Sequence, residues 1–179
     1  MPSRALLTEA QTISAAEITQ VLANQGIARA SLSAPVTRTS TTTLTNTGLS
    51  ALTVSLLPSS RYRLTYRLFA IGANGFQLGF TWPSSLTQFD GYATFQDNLA
   101  GLATYVYYDF PANGAGSGDA IIDAVADPSQ NGGLIFIADI ATGSTANTYG
   151  DFAVVFAQST SNATASTMSQ NSCVEVLKF

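Results

Sequence analysis

The chain has 179 residues, of which 46% are hydrophobic and only 10% charged, for a net charge of −4; a charged share of about 25% is usual. So much hydrophobicity at so little charge excludes a disordered chain, and no apolar run reaches the roughly 20 residues that a membrane-spanning helix needs. With no histidine and the single cysteine Cys173, Ser-His and Cys-His catalysis, an intrachain disulfide and a thiolate zinc site all fall away; an ordinary hydrolytic enzyme is not expected, and neither is a cofactor or metal.

Residues 1–35 read as an N-terminal arm. Ser14 and Glu17 have the spacing of a capping box. Ala15, Ile18, Val21 and Leu22 follow at helical spacing until Asn24 and Gly26 supply a stop, which predicts one short helix over residues 15–24. A helix of about ten residues is not stable alone in water, so its Ile18/Val21/Leu22 stripe must dock, on its own domain or on another protein. No basic stretch followed by an apolar one opens the arm, so no signal peptide is expected.

From residue 36 the pattern is that of one β domain, over residues 36–179. Thr39–Thr47 is threonine-rich and favours extended structure, and Thr53–Leu57 is a short apolar strand. Arg61–Ile71 alternates most clearly, with Arg61, Arg63, Thr65 and Arg67 on one face and Tyr62, Leu64, Tyr66 and Leu68 on the other. Residues 72–75 read as a turn that returns the chain along Phe76–Trp82, so these two elements are expected to form a hairpin. Gly91–Phe95, Ala103–Phe110, Gly133–Ala141, Gly150–Gln158, Ala163–Met168 and Ser172–Phe179 follow. Short strands with turn signals about every 8–12 residues, and no alternation with helices, predict an antiparallel sandwich or barrel.

The run Val36-Thr37-Arg38-Thr39-Ser40-Thr41-Thr42-Thr43-Leu44-Thr45-Asn46-Thr47-Gly48-Leu49, followed by Tyr62-Arg63-Leu64, resembles the opening of a jelly-roll domain of tailed-bacteriophage virion proteins. There a threonine-rich strand leads to a Tyr-Arg strand and a glycine-containing hairpin, which Tyr66-Arg67-Leu68-Phe69 and Gly79-Phe80-Thr81-Trp82-Pro83 match. The closing pattern, a strand ending Phe-Ala-Gln-x-Thr-Ser, a Thr-rich link and a Leu-Glu-Val-type strand, is matched by Phe156-Ala157-Gln158-Ser159-Thr160-Ser161 and Ser172-Cys173-Val174-Glu175-Val176. Asn171 stands where that group usually has glycine, and Asp119–Asp127 does not align with it. The resemblance covers residues 36–179 and implies an all-β, antiparallel jelly-roll sandwich (C1q/TNF-like), usually trimeric, preceded by the arm with its short helix. Such domains serve as capsid decoration (cement) proteins, head fibres or tail-fibre tips, and are not enzymes.

Charge is unevenly spread. Residues 1–67 hold all six arginines (Arg4, Arg29, Arg38, Arg61, Arg63 and Arg67) against Glu9 and Glu17, whereas residues 68–179 hold Lys178 against eight aspartates and Glu175. The arginines are too dispersed for nucleic acid; they are either scattered surface charge or a basic arm for an acidic protein surface. Arg61, Arg63 and Arg67 face solvent or a neighbouring subunit, where arginine forks pair with carboxylates. Tyr105, Tyr107, Tyr108 and Phe110 divide between a core and an interface, or form a sugar platform. Asp119, Asp123 and Asp127 recur every fourth residue, as a solvated loop or, with oxygen ligands from elsewhere, a calcium site. The Pro111–Gly118 loop lacks the lysine of a phosphate loop, and Cys173 reads as a small buried apolar residue.

The resulting expectation is a capsid decoration protein: a homotrimer on the outside of a phage capsid that binds the major capsid protein and stabilises the shell, with no nucleic-acid or membrane partner. Its arm would supply the capsid contact through Arg4, Ile18, Val21, Leu22, Arg29 and Arg38. Its subunit interface would draw on Arg61, Arg63, Arg67, Tyr105, Tyr107 and Phe179. The alternative is a receptor-binding fibre tip that recognises a host-surface glycan through the aromatic face or the Pro111–Gly118 loop.

Overall fold

A computed structural model describes residues 27–72, 75–83, 86–97, 104–110, 120–124, 132–144 and 150–179. They form twelve strands: β1 Ile27–Ser31, β2 Val36–Arg38, β3 Val54–Ser55, β4 Arg61–Gly72, β5 Phe76–Thr81, β6 Leu86–Asp97, β7 Thr104–Phe110, β8 Ala120–Ala124, β9 Gly132–Thr142, β10 Asp151–Gln158, β11 Ser166–Met168 and β12 Cys173–Lys178. The only helix among these residues is a single 3-10 turn, Ser50–Leu52. The larger sheet runs β1-β12-β4-β9-β6-β7, with β2 and β11 attached beside the end of β4; the smaller runs β3-β10-β5-β8.

Every strand pairs antiparallel with its counterpart counted from the other end of the series. The first pairs with the twelfth, the second with the eleventh, the third with the tenth, and so on down to β6 with β7. The chain is thus one long two-stranded ribbon, folded over so that β1/β12 and β2/β11 lie in the larger sheet and the later levels alternate between the smaller sheet and the larger. Cross-pairings of β4 with β12 and β11, β5 with β10, and β6 with β9 close it.

The two sheets enclose an aromatic core. On β4 the even residues are buried and the odd ones largely exposed, as period-2 alternation requires. Tyr66 and Phe136 from the larger sheet meet Phe80 and Phe152 from the smaller, with the Phe80 and Phe136 rings stacked at 4.0 Å between centroids. Trp82 stacks on Phe89 at 4.8 Å and extends the cluster toward β6. Each such side chain, fully buried, stabilises the fold by about 1.5–3 kcal/mol relative to exposure.

Three sequence expectations change. The Arg61–Ile71 and Phe76–Trp82 segments do not form a hairpin: β4 lies in the larger sheet and β5 in the smaller, and the chain between them turns a corner from one to the other. Alternation fixes which face is buried but not which strand is the neighbour, and two strands that bury the same face can stand in opposite sheets. The corner is crowded. A Cβ on Gly72 would lie 2.8 Å from the Gly75 carbonyl oxygen and 2.6 Å from Ser166 Oγ, and Gly75 has a φ of +79°. Second, residues 27–31, placed in the arm by sequence, are strand β1, whose five residues all pair with β12. Third, Thr39–Thr47 is no regular strand; it lies beside β10 through the Thr45–Phe156 bridge and the Gln158 N–H donating to the Thr41 carbonyl. The predicted helix at 15–24 lies outside the described residues.

Candidate functional site

The outward face of the larger sheet gathers most of the residues singled out in the sequence. Arg61, Arg63 and Arg67 point outward from β4, as the alternation predicts. The ladder sets Arg63 opposite Asp139 of β9, and the guanidinium grips that carboxylate with two bonds, Nε to Oδ1 at 2.8 Å and Nη2 to Oδ2 at 2.7 Å. This hydrogen bond and charge raise the Arg63 pKa above its ordinary value. One pairing along, Glu175 of β12 sits between two arginines, 3.9 Å from Arg29 Nε and 4.0 Å from Arg67 Nη1. Arg29 also donates to Cys173 Sγ at 3.6 Å, and Cys173 is buried. The imbalance along the sequence is therefore partly offset across the ladder, where arginines of residues 1–67 meet acids of residues 139–175.

Large apolar side chains stand among these charges. Phe69 is 38% exposed, Ile135 44% and Tyr92 38%; they come from β4, β9 and β6, and Gly133 opposite Phe69 leaves that ring lying flat over the sheet. Beside the Arg63–Asp139 pair is a hollow of about 350 Å³ bounded by Arg61, Gln88 and Phe179. Phe179 is 68% exposed, and its N–H donates to the Arg61 carbonyl. The register sets Tyr107 opposite Thr94 and Tyr105 opposite Gln96, with β7 at the far edge of the sheet.

Arg38 is placed quite differently. Its guanidinium turns back onto its own fold and donates to the carbonyls of Phe156, Thr37, Thr45 and Thr47, with its centre 5.9 Å from the Phe156 ring centroid. Partial burial lowers its pKa from the ordinary value. Arg38 is a clamp that holds the threonine-rich segment to β10. Gln158 completes the job from within the core: its amide oxygen accepts from the N–H groups of Thr41 and Asn162, and its nitrogen donates to the Thr164 carbonyl. This is why a glutamine follows the apolar run Phe152–Ala157 at the end of the strand.

Arg4, Ile18, Val21, Leu22, Asp119, Asp127 and the Pro111–Gly118 loop lie outside the described residues. Asp123 falls in β8, opposite Gln77. Among the described residues no three of His, Cys, Asp and Glu come together, and no helix is long and apolar enough to cross a membrane. Sequence reasoning missed Asp139, Phe69 and Ile135 as parts of this face. Phe69 was legible, since it continues the odd-numbered row of Arg61, Arg63 and Arg67; Asp139, the lone acid in an apolar strand, gave a second signal.

No family model matches the chain, and no curated protein matches it. Two solved structures align with 85% of it, covering 40% of their own chains: the structure of infectious bursal disease virus Gt strain at 10% identity and a TM-score of 0.21, and that of the Gx strain at 12% and 0.19. The chain thus spans two fifths of the length of those chains. At these scores the backbones do not superpose as one fold.

Proposed function

We propose that the chain is a jelly-roll structural protein of a virion, a non-catalytic decoration protein that sits as a homotrimer on the outside of a phage capsid. The observation that carries the reading is the nested order of pairing. A ribbon whose strands pair first with last, second with second-last and so on, rolled into two facing sheets, has the connectivity of a jelly roll, an architecture common in viral shells. The outward face of the larger sheet supports the same reading. Arginine with exposed tyrosine and phenylalanine is the composition enriched at protein–protein contacts, and here it is spread over β4, β9 and β6. The residues before β1 supply the contact with the major capsid protein, and three copies per trimer multiply weak contacts.

Quantitative mass spectrometry of purified virions tests this. Hundreds of copies, in a fixed ratio to the major capsid protein, are the expected result. A handful would place the chain at a unique vertex or tail and favour a glycan-binding tip, and none would overturn the virion reading. Native mass spectrometry of the isolated protein is expected to give the mass of three chains.

A further inference from the structure

Among the described residues the sandwich is open along one side. The larger sheet ends there in β1, the smaller in the two-residue β3, and between these edges lies a groove of about 440 Å³. Its walls are apolar: Ala28 and Ala30 of β1, Val54 of β3, Leu57, Tyr62 and Val176. Ala28 and Ala30 pair with Val176 and Val174, which face the core, so the core-side surface of the sheet continues into β1. Yet all five residues of β1 are exposed and Leu57 is 54% exposed: the smaller sheet is too narrow to cover them. Thr53, also in the groove wall, has a buried hydroxyl with no hydrogen-bond partner among the described residues. Lys178 stands at the rim and makes no ion pair among them.

We propose that this groove is the seat of the segment immediately before it, residues 15–24, whose Ile18/Val21/Leu22 stripe fills it while Glu17 meets Lys178. Three observations select this occupant. The 26 residues that precede the described chain lead directly into Ile27, which itself lines the groove. Only residues 25 and 26 separate the sequence-predicted helix from β1, so at about 3.5 Å per residue its end is tethered within about 10 Å of the groove. The charges also match, since the rim offers a lysine and the stripe is flanked by a glutamate four residues before Val21, on the same side of a helix. A docked helix also covers the free edge of β1, which would otherwise offer unpaired backbone groups to any passing strand. Residues 1–13, with Arg4, then remain as the reaching part of the arm. The inference refines the shell-binding role of the arm, and the two fail separately, because docking is read on the isolated full-length protein without capsids.

The test uses a photo-crosslinking amino acid placed at Ala30 and, in a second variant, at Leu57; both positions are exposed and tolerate replacement. The expected product is an intrachain crosslink to a peptide within residues 15–24. Its yield falls by at least about tenfold in the Ile18→Asp/Val21→Asp double variant, as removal of two buried aliphatic side chains requires. Glu17→Lys lowers the yield and Glu17→Lys/Lys178→Glu restores it. Crosslinks to other parts of the chain, adducts of two chains, the absence of any crosslink, or a yield indifferent to these substitutions would each overturn the proposal.

Discussion

The two faces of β4 are the alternate residues of one twelve-residue strand and differ in almost everything else. Inward, Tyr62, Leu64, Tyr66 and Leu68 lie at or below 4% exposure and are held by shape, packed against rings from the opposite sheet. Outward, Arg61, Arg63 and Arg67 are held by charge or not at all, and their partners Asp139 and Glu175 arrive from strands far along the chain. Burial of the first kind is worth kilocalories and decides the fold; pairing of the second kind, in contact with water, is worth little to stability. Under the proposed role, one strand would carry a structural side and a side for contact with another surface.

Four substitutions test that division, in descending size of effect. Phe136→Ala removes the ring stacked on Phe80 and is expected to destabilise the protein by about 3–5 kcal/mol, read as a large drop in the denaturant midpoint. Gly72→Ala strikes the corner where the chain leaves the larger sheet; its methyl group collides with backbone, and a loss of about 1–3 kcal/mol is expected. Tyr66→Phe has the opposite sign. The Tyr66 hydroxyl is buried without a partner among the described residues, and the same burial pushes its pKa far above the ordinary range, so its removal is expected to stabilise by up to about 1 kcal/mol and to raise the melting temperature. Arg63→Ala, on the outward face, is expected to leave the melting temperature unchanged and to weaken self-association in sedimentation experiments; a large thermal loss would show that the outward face is structural after all.

What was legible in the sequence follows the same line. The alternation of Arg61–Ile71 carried its two faces correctly, because side-chain period is a local property of a strand. The pairing partners of β4 were not legible. Its neighbours β9 and β12 lie far along the chain, and the one local signal, the glycines at 72 and 75, suits a tight hairpin and an arch between sheets equally well. Strand β1 was missed because Ile27-Ala28-Arg29-Ala30-Ser31 carries neither strict alternation nor β-branched residues beyond Ile27; it is a strand because β12 makes it one. Arg38 could be picked out as a lone cation among threonines, but the four carbonyls it binds come together only in the folded chain.

The nested pairing also sets a calendar for synthesis. β6 can meet β7, and β5 can meet β8, once residue 124 has left the ribosome, but β4 must wait for β9, and β1 finds its partner among the described residues only when β12, the last of the twelve strands, follows. The fold therefore has to close from the middle outward, against the order in which its parts are delivered, and non-local contacts of this kind are slow to form. During that wait the longest-exposed apolar surface is that of the earliest strands, so premature termination anywhere before β12 would leave a nascent product with an unpaired edge and a core open on one side.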